Sequence, residues 1–210
     1  MKIVVLSNEV LKKELLAQGL AAQTELQWID KIEKFRDHQG ADACIDLSFD
    51  NEPSRVNFLK SITTGLVIIN HVAGTLLELP SNFIRINGWT GFLNRDLIEA
   101  SCSDKNVKEK ADSVFAAFSK KTEWTPDIPG FVSARVISMI INEAYFALEE
   151  EVSTKEEIDA AMKLGTNYPK GPFEWSRTIG IKNVYRLLQE MAKTQKRYEP
   201  STLLSKEAAE

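Results

Sequence analysis

A chain of 210 residues, 43% hydrophobic and 27% charged, is long enough to bury a real core in one or two domains. Its net charge of −4 and pI near 5.4 exclude the basic surface that nucleic-acid binding requires. No apolar run reaches the roughly 18–20 residues that cross a bilayer, so no membrane association is expected.

Met1–Leu6 is too short and lacks the cleavage-like site of a secretion signal, so it reads as a first buried strand of a cytoplasmic protein. Cys44 and Cys102 have neither disulfide nor metal spacing, and no metal site is expected.

The first half alternates apolar runs with helical periodicity. Lys2–Leu6, Glu25–Ile29, Ala43–Leu47, Gly65–Ile69, Phe83–Ile86, Leu97–Ala100 and Lys121–Trp124 read as strands. Between them, Asn8–Gln18, Arg55–Ser61 and Lys105–Phe118 read as helices. Repeated β–α units of this size predict an α/β fold with a parallel, doubly wound sheet. The prolines at 126 and 129 bracket a hinge or connector. Beyond it the chain reads as all-α. Val132–Glu150 carries an apolar stripe, Ser153 and Glu156 form a capping-box pattern before Thr154–Leu164, Gly165 stops that helix, and Asn183–Lys193 follows. The polar end, Ser201–Glu210, is expected to fray. The domains are therefore expected at 1–126 and 127–210.

Pro129–Gly130–Phe131, Asn142–Glu143–Ala144, Ile158–Asp159–Ala160–Ala161–Met162 and Tyr168–Pro169–Lys170–Gly171–Pro172–Phe173–Glu174 occur in this order along the helical half. Together they resemble the C-terminal domain of the 3-hydroxyacyl-CoA dehydrogenases. The first half resembles that family's dinucleotide-binding domain at Ala41–Asp46 and Phe83–Glu99. The resemblance implies a truncated Rossmann-like N-terminal domain, a helical C-terminal domain and a homodimer formed through the C-terminal helices. It also implies a long helical excursion supporting CoA; here only Lys31–Gly40 separates the second strand from the third.

A Rossmann cofactor site needs a glycine-rich turn after the first strand, where backbone N–H groups and a helix end approach a pyrophosphate. This turn is Leu6–Ser7–Asn8–Glu9, without glycine, and Glu9 repels a diphosphate. Asp30, at the end of the second strand, stands where the resemblance implies the ribose-binding acid. Asp30 and Asn70 are the cofactor contacts if NAD binds; otherwise no cofactor is expected.

In the family a histidine base, oriented by a glutamate, takes the hydroxyl proton. By resemblance the histidine position is Asn87 and the glutamate position Glu99. An asparagine amide donates and accepts hydrogen bonds but cannot act as a general base. The family's serine falls near Val72 or Ala73 and its asparagine at Ala134, beside Ser133. His71, after the strand ending at Asn70, is the substitute base on location, with a solvated loop histidine as the alternative. His38 reads as exposed. Trp89, Trp124 and Trp175 read as core or pocket lining, and Lys170 as a solvated lysine or an anion contact. Two readings result: a dehydrogenase-like protein that has lost NAD-dependent activity and binds a small molecule or a partner, or an active NAD-dependent 3-hydroxyacyl-CoA or related hydroxy-acid dehydrogenase.

Overall fold

Four of the five residues of the first strand, β1 (Lys2–Leu6), are buried, and they pack alternately on the two faces of a sheet. Ile3 and Val5 join one core layer with Leu11, Leu15 and Phe115, while Val4 and Leu6 join the other with Phe35 and Leu59. A strand covered on both faces reads as a continuous apolar run for this reason. The protein is described by a computed structural model for residues 1–62 and 65–210. It divides into two compact units, Met1–Phe131 and Val132–Glu210.

The first unit continues with α1 (Glu9–Leu15), β2 (Glu25–Ile29), a 3-10 turn at Ile32–His38, β3 (Ala43–Asp46), α2 (Pro53–Lys60), β4 (Leu66–Asn70), β5 (Phe83–Ile86), β6 (Leu97–Cys102), α3 (Lys108–Ala116) and β7 (Lys121–Trp124). The strand order is β2-β1-β3-β4-β5-β6-β7. The sheet departs from the uniformly parallel expectation at one pair: β5 and β6 run antiparallel. Residues 87–96 join them without a helix, and a parallel crossover needs a dozen or more residues.

The second unit comprises α4 (Ser133–Glu149), α5 (Lys155–Thr166), α6 (Pro172–Ile179), α7 (Ile181–Ala192), a 3-10 turn at Lys196–Tyr198 and α8 (Thr202–Ala209). Several boundaries differ from the sequence reading. The capping box before α5 is Thr154 with Glu157, one residue later than Ser153 with Glu156. Gly165 lies inside α5, and Asn167 in the left-handed conformation (φ 57°) ends it. The end of the chain does not fray: Ser201 caps α8, and Leu204 and Ala208 are buried. Pro172 begins a further helix, absent from the sequence reading, because proline fits the first helical position.

Candidate functional site at the carboxyl edge of the sheet

In open α/β sheets ligands gather outside the carboxyl ends of the strands, where the strand order reverses. Here that point lies between β1 and β3. After β1, Asn8 turns the chain into α1 and its Oδ1 accepts the Leu11 N–H at 2.9 Å, while Glu9 in the first turn pairs with Lys12. At the end of β3, Asp46 is fully buried. Arg55 reaches it from α2 with Nε and Nη2 each at 2.7 Å, and the Ser48 N–H adds a third bond. Burial pushes the Asp46 carboxyl up, against the lowering pull of Arg55.

The β4 and β5 ends are joined by Asn70. Its Nδ2 donates to Leu47 O at 3.2 Å and Gly88 O at 3.0 Å, and its Oδ1 accepts the Gly88 N–H at 3.0 Å. A Cβ at Gly88 would stand 2.8 Å from the Asn70 amide carbon, so glycine is required for this contact. Next to it, Asn87 Nδ2 donates to Glu99 Oε2 at 2.9 Å, with both residues buried. The connecting loop is held by three groups that sequence reading missed. Glu14 accepts the Gly91 N–H with both oxygens, Gln18 donates to Asn94 O, and the buried Lys120 ammonium donates to Leu93 O and Arg95 O. Burial pushes the Lys120 ammonium down.

Arg85 is a further missed group, an arginine buried inside β5 with no exposed surface. Its Nε bonds Asp127 Oδ1 at 2.5 Å, its Nη2 donates to Ile128 O at 2.5 Å, and its guanidinium lies 4.1 Å from the Phe131 ring centroid. Asp127 also accepts the Leu76 N–H, and the Gly130 N–H donates to Val72 O. The segment read as a hinge is thus fastened to the first unit, and the division between units falls after Phe131 and not at 126. A charge alone within Phe83–Ile86 was the available signal.

The structure brings Asn70, Asn87 and Glu99 together at the β4–β6 ends and leaves Asp30 apart. Asp30 follows β2, three strand spacings from β4, roughly 14 Å. Its side chain is 69% exposed and ion-paired with Lys34 at 2.5 Å, which holds its carboxyl below the usual range. His71 lies in the loop after β4 and is half-buried. Its ring packs edge-on to Phe49 at 5.1 Å and against Gly74, where a Cβ would clash with Nε2, and its carbonyl accepts from Arg85. His38 is half-buried, not exposed. Val72 and Ala134 are buried and Ala73 is half-buried, and none of the three carries a polar side chain. Trp89 and Trp175 are buried, and Trp124 is half-buried with its Nε1 on Asp112. Lys170 is engaged, with Nζ on Thr178 Oγ1 at 2.8 Å and over the Trp175 ring. Among the described residues no group of three or more His, Cys, Asp or Glu side chains is placed to hold a metal ion.

The motifs of the helical unit resolve into packing devices. Asp159 on α5 caps α6, accepting the Phe173 N–H at 2.7 Å and the Glu174 N–H at 3.1 Å. Glu174 reaches back to the Gly171 N–H. A Cβ at Gly171 would lie 2.2 Å from Asp159 Oδ1, which explains glycine there. Asn142 on α4 donates to Glu199 O and accepts the Ser201 N–H, anchoring the approach to α8.

A seven-stranded, mostly parallel Rossmann-type sheet joined in sequence to a helical unit defines the class of two-part dehydrogenase-like proteins. Residues 130–210 match the family model for the 3-hydroxyacyl-CoA dehydrogenase C-terminal domain. The chain belongs to the 3-hydroxyacyl-CoA dehydrogenase family. It is 42% identical over 84 residues to 3-hydroxyadipyl-CoA dehydrogenase of Escherichia coli, covering 39% of this chain and 18% of that protein. It is 31% identical over 157 residues to a 3-hydroxybutyryl-CoA dehydrogenase of Bradyrhizobium diazoefficiens, covering 70% of this chain and 52% of that one. The chain thus spans about half, or less, of the length of these relatives. The crystal structure of (S)-3-hydroxybutyryl-CoA dehydrogenase from Ralstonia eutropha superposes with a TM-score of 0.77, covering 99% of this chain and 93% of that one at 18% identity, a likeness of fold.

Proposed function

We propose that this dehydrogenase-like chain has lost NAD-dependent chemistry and acts as a ligand- or partner-binding homodimer. One observation carries the reading: the polar side chain at each of the first five strand ends is engaged within the chain itself. Asn8 caps α1, Asp30 pairs with Lys34, Asp46 with Arg55, Asn70 with Leu47 and Gly88, and Asn87 with Glu99. A pyrophosphate recruits backbone N–H groups and a helix end at the turn after β1. Here the Asn8 amide takes the N–H and Glu9 supplies negative charge to the same helix end. Dimerisation is supported by the family resemblance and by apolar side chains exposed on the helical unit. Val136 and Phe146 on α4 are exposed, and Leu164 on α5 is 88% exposed.

The second reading, an active NAD-dependent 3-hydroxyacyl-CoA or related dehydrogenase, is favoured by one feature. Glu99 retains a hydrogen-bonding partner at Asn87, at the spacing of the family's pair. Titration with NADH followed by nicotinamide fluorescence separates the two. No binding up to millimolar NADH is expected. Saturable micromolar binding, followed by turnover of acetoacetyl-CoA, overturns the first reading. Analytical ultracentrifugation tests the dimer, and a monomer at tens of micromolar removes that part of the proposal.

A further inference from the structure

Within the helical unit, α6, the start of α7 and α8 enclose a groove of about 730 Å³, in the size range of small-molecule sites. Its floor is aromatic. The buried rings of Tyr145 and Phe173 meet edge to face with centroids 5.0 Å apart. Ile181 and Leu203 extend the apolar lining.

The polar contacts over this floor already have the form of a bound carboxylate. The Tyr145 hydroxyl donates to Glu207 Oε2 at 2.7 Å, and Lys155 is ion-paired with Oε1. The Lys155 ammonium also stands 5.4 Å and 5.5 Å from the Tyr145 and Phe173 ring centroids. Glu207 therefore occupies one carboxylate position from within the chain. Two more cations, Arg177 and Lys206, line the same groove. Arg177 makes a long contact of 3.5 Å to Asp159, whose oxygens are already taken by the α6 N–H groups, and its side chain is 66% exposed. Glu210 is the other acid in the lining. Three side-chain cations thus face two side-chain carboxylates, and one of those is neutralised by Lys155.

We propose that this groove binds a small amphipathic carboxylate, with its apolar body on Phe173, Ile181 and Leu203 and its charge on Arg177 and Lys206. The site uses no strand-end residue, so it stands or falls independently of dinucleotide binding.

The test is a titration of the full-length, ¹⁵N-labelled chain with hexanoate and, separately, hexylamine. Hexanoate is expected to give saturable amide shifts in α6, the start of α7 and α8, and hexylamine none there. The double variant Arg177→Gln, Lys206→Gln alters only exposed side chains and should keep the parent fold and melting temperature. It should weaken hexanoate binding at least about tenfold. Non-saturable hexanoate shifts, equal shifts with hexylamine, or undiminished affinity in the double variant would each overturn the proposal.

Discussion

Asn87 and Glu99 are clamped twice. The Asn87 side-chain amide donates to the Glu99 carboxylate at 2.9 Å, and its backbone N–H donates to the Glu99 carbonyl at 3.1 Å. Asn87 joins Glu99 through an amide donor that does not titrate. Asn87→Asp sets two buried carboxylates face to face, which raises the pKa of one of them. A raised acid pKa stabilises the folded state progressively as pH falls. The variant should therefore be clearly less stable than the parent near neutral pH and regain stability in acid. Urea unfolding across pH checks this, and a deficit that does not change with pH would contradict it.

Arg85 and Asp127 give a second prediction. Removing one partner of a buried ion pair strands the other charge, at about 3 kcal/mol or more. Asp127→Ala should cost about that much, because Arg85 has no access to water. Combining it with Arg85→Met removes the stranded charge and should cost less than Asp127→Ala alone. Chemical denaturation of both variants measures the difference, and the reverse order would remove this role from the ion pair.

The α5–α6 junction predicts a coupling. Asp159→Ala deletes a helix cap, worth about 1–2 kcal/mol. Gly171→Ala drives a methyl group into the same carboxylate. With the carboxylate gone the methyl group has room, so the double variant should lose less than the two single losses combined. Additive losses in a double-mutant cycle would show that the two positions do not meet.

Glu207 predicts acid lability of the α8 attachment. Burial pushes its carboxyl up, but Lys155 and the Tyr145 hydroxyl outweigh that and hold it below the usual value of 4.5. A depressed acid pKa contributes stability above the unfolded value and loses it as pH falls through the folded one. Glu207→Gln should melt below the parent near neutral pH, with the gap closing under acid conditions below about pH 4.5. A gap that is constant from neutral pH into that range would refute the assignment.

Much of the fold is legible in the residues. All seven strands lie within a residue or two of the segments read as strands; the central ones, β1, β3, β4 and β5, are legible as apolar runs because a strand buried on both faces admits few polar side chains, whereas the edge strands β2 and β7 alternate exposed with half-buried residues. The family motifs of the helical unit are equally local, since Gly171, Pro172 and Glu174 act on the backbone beside them. What escaped is of two kinds. The helix at Pro172–Ile179 was not among the segments read as helical, although proline at the first helical position begins it. The end of the chain was read as frayed from its polarity, though Leu204 and Ala208 recur every fourth residue and are buried.

By itself the sequence determined the seven strand segments, the long helices α3, α4, α5 and α7, the resemblance to the family, and the glycine-free turn after β1, because these depend on neighbouring residues and their periodicity. Only the tertiary structure decided the partners: Glu99 for Asn87, Asp127 for Arg85, Arg55 for Asp46, and Glu207 for Tyr145. Each contact acts across 2.5–2.9 Å between residues 9 to 62 positions apart. A hydrogen bond or ion pair depends on that distance and on exclusion of water, and both are set by how the sheet and helices pack.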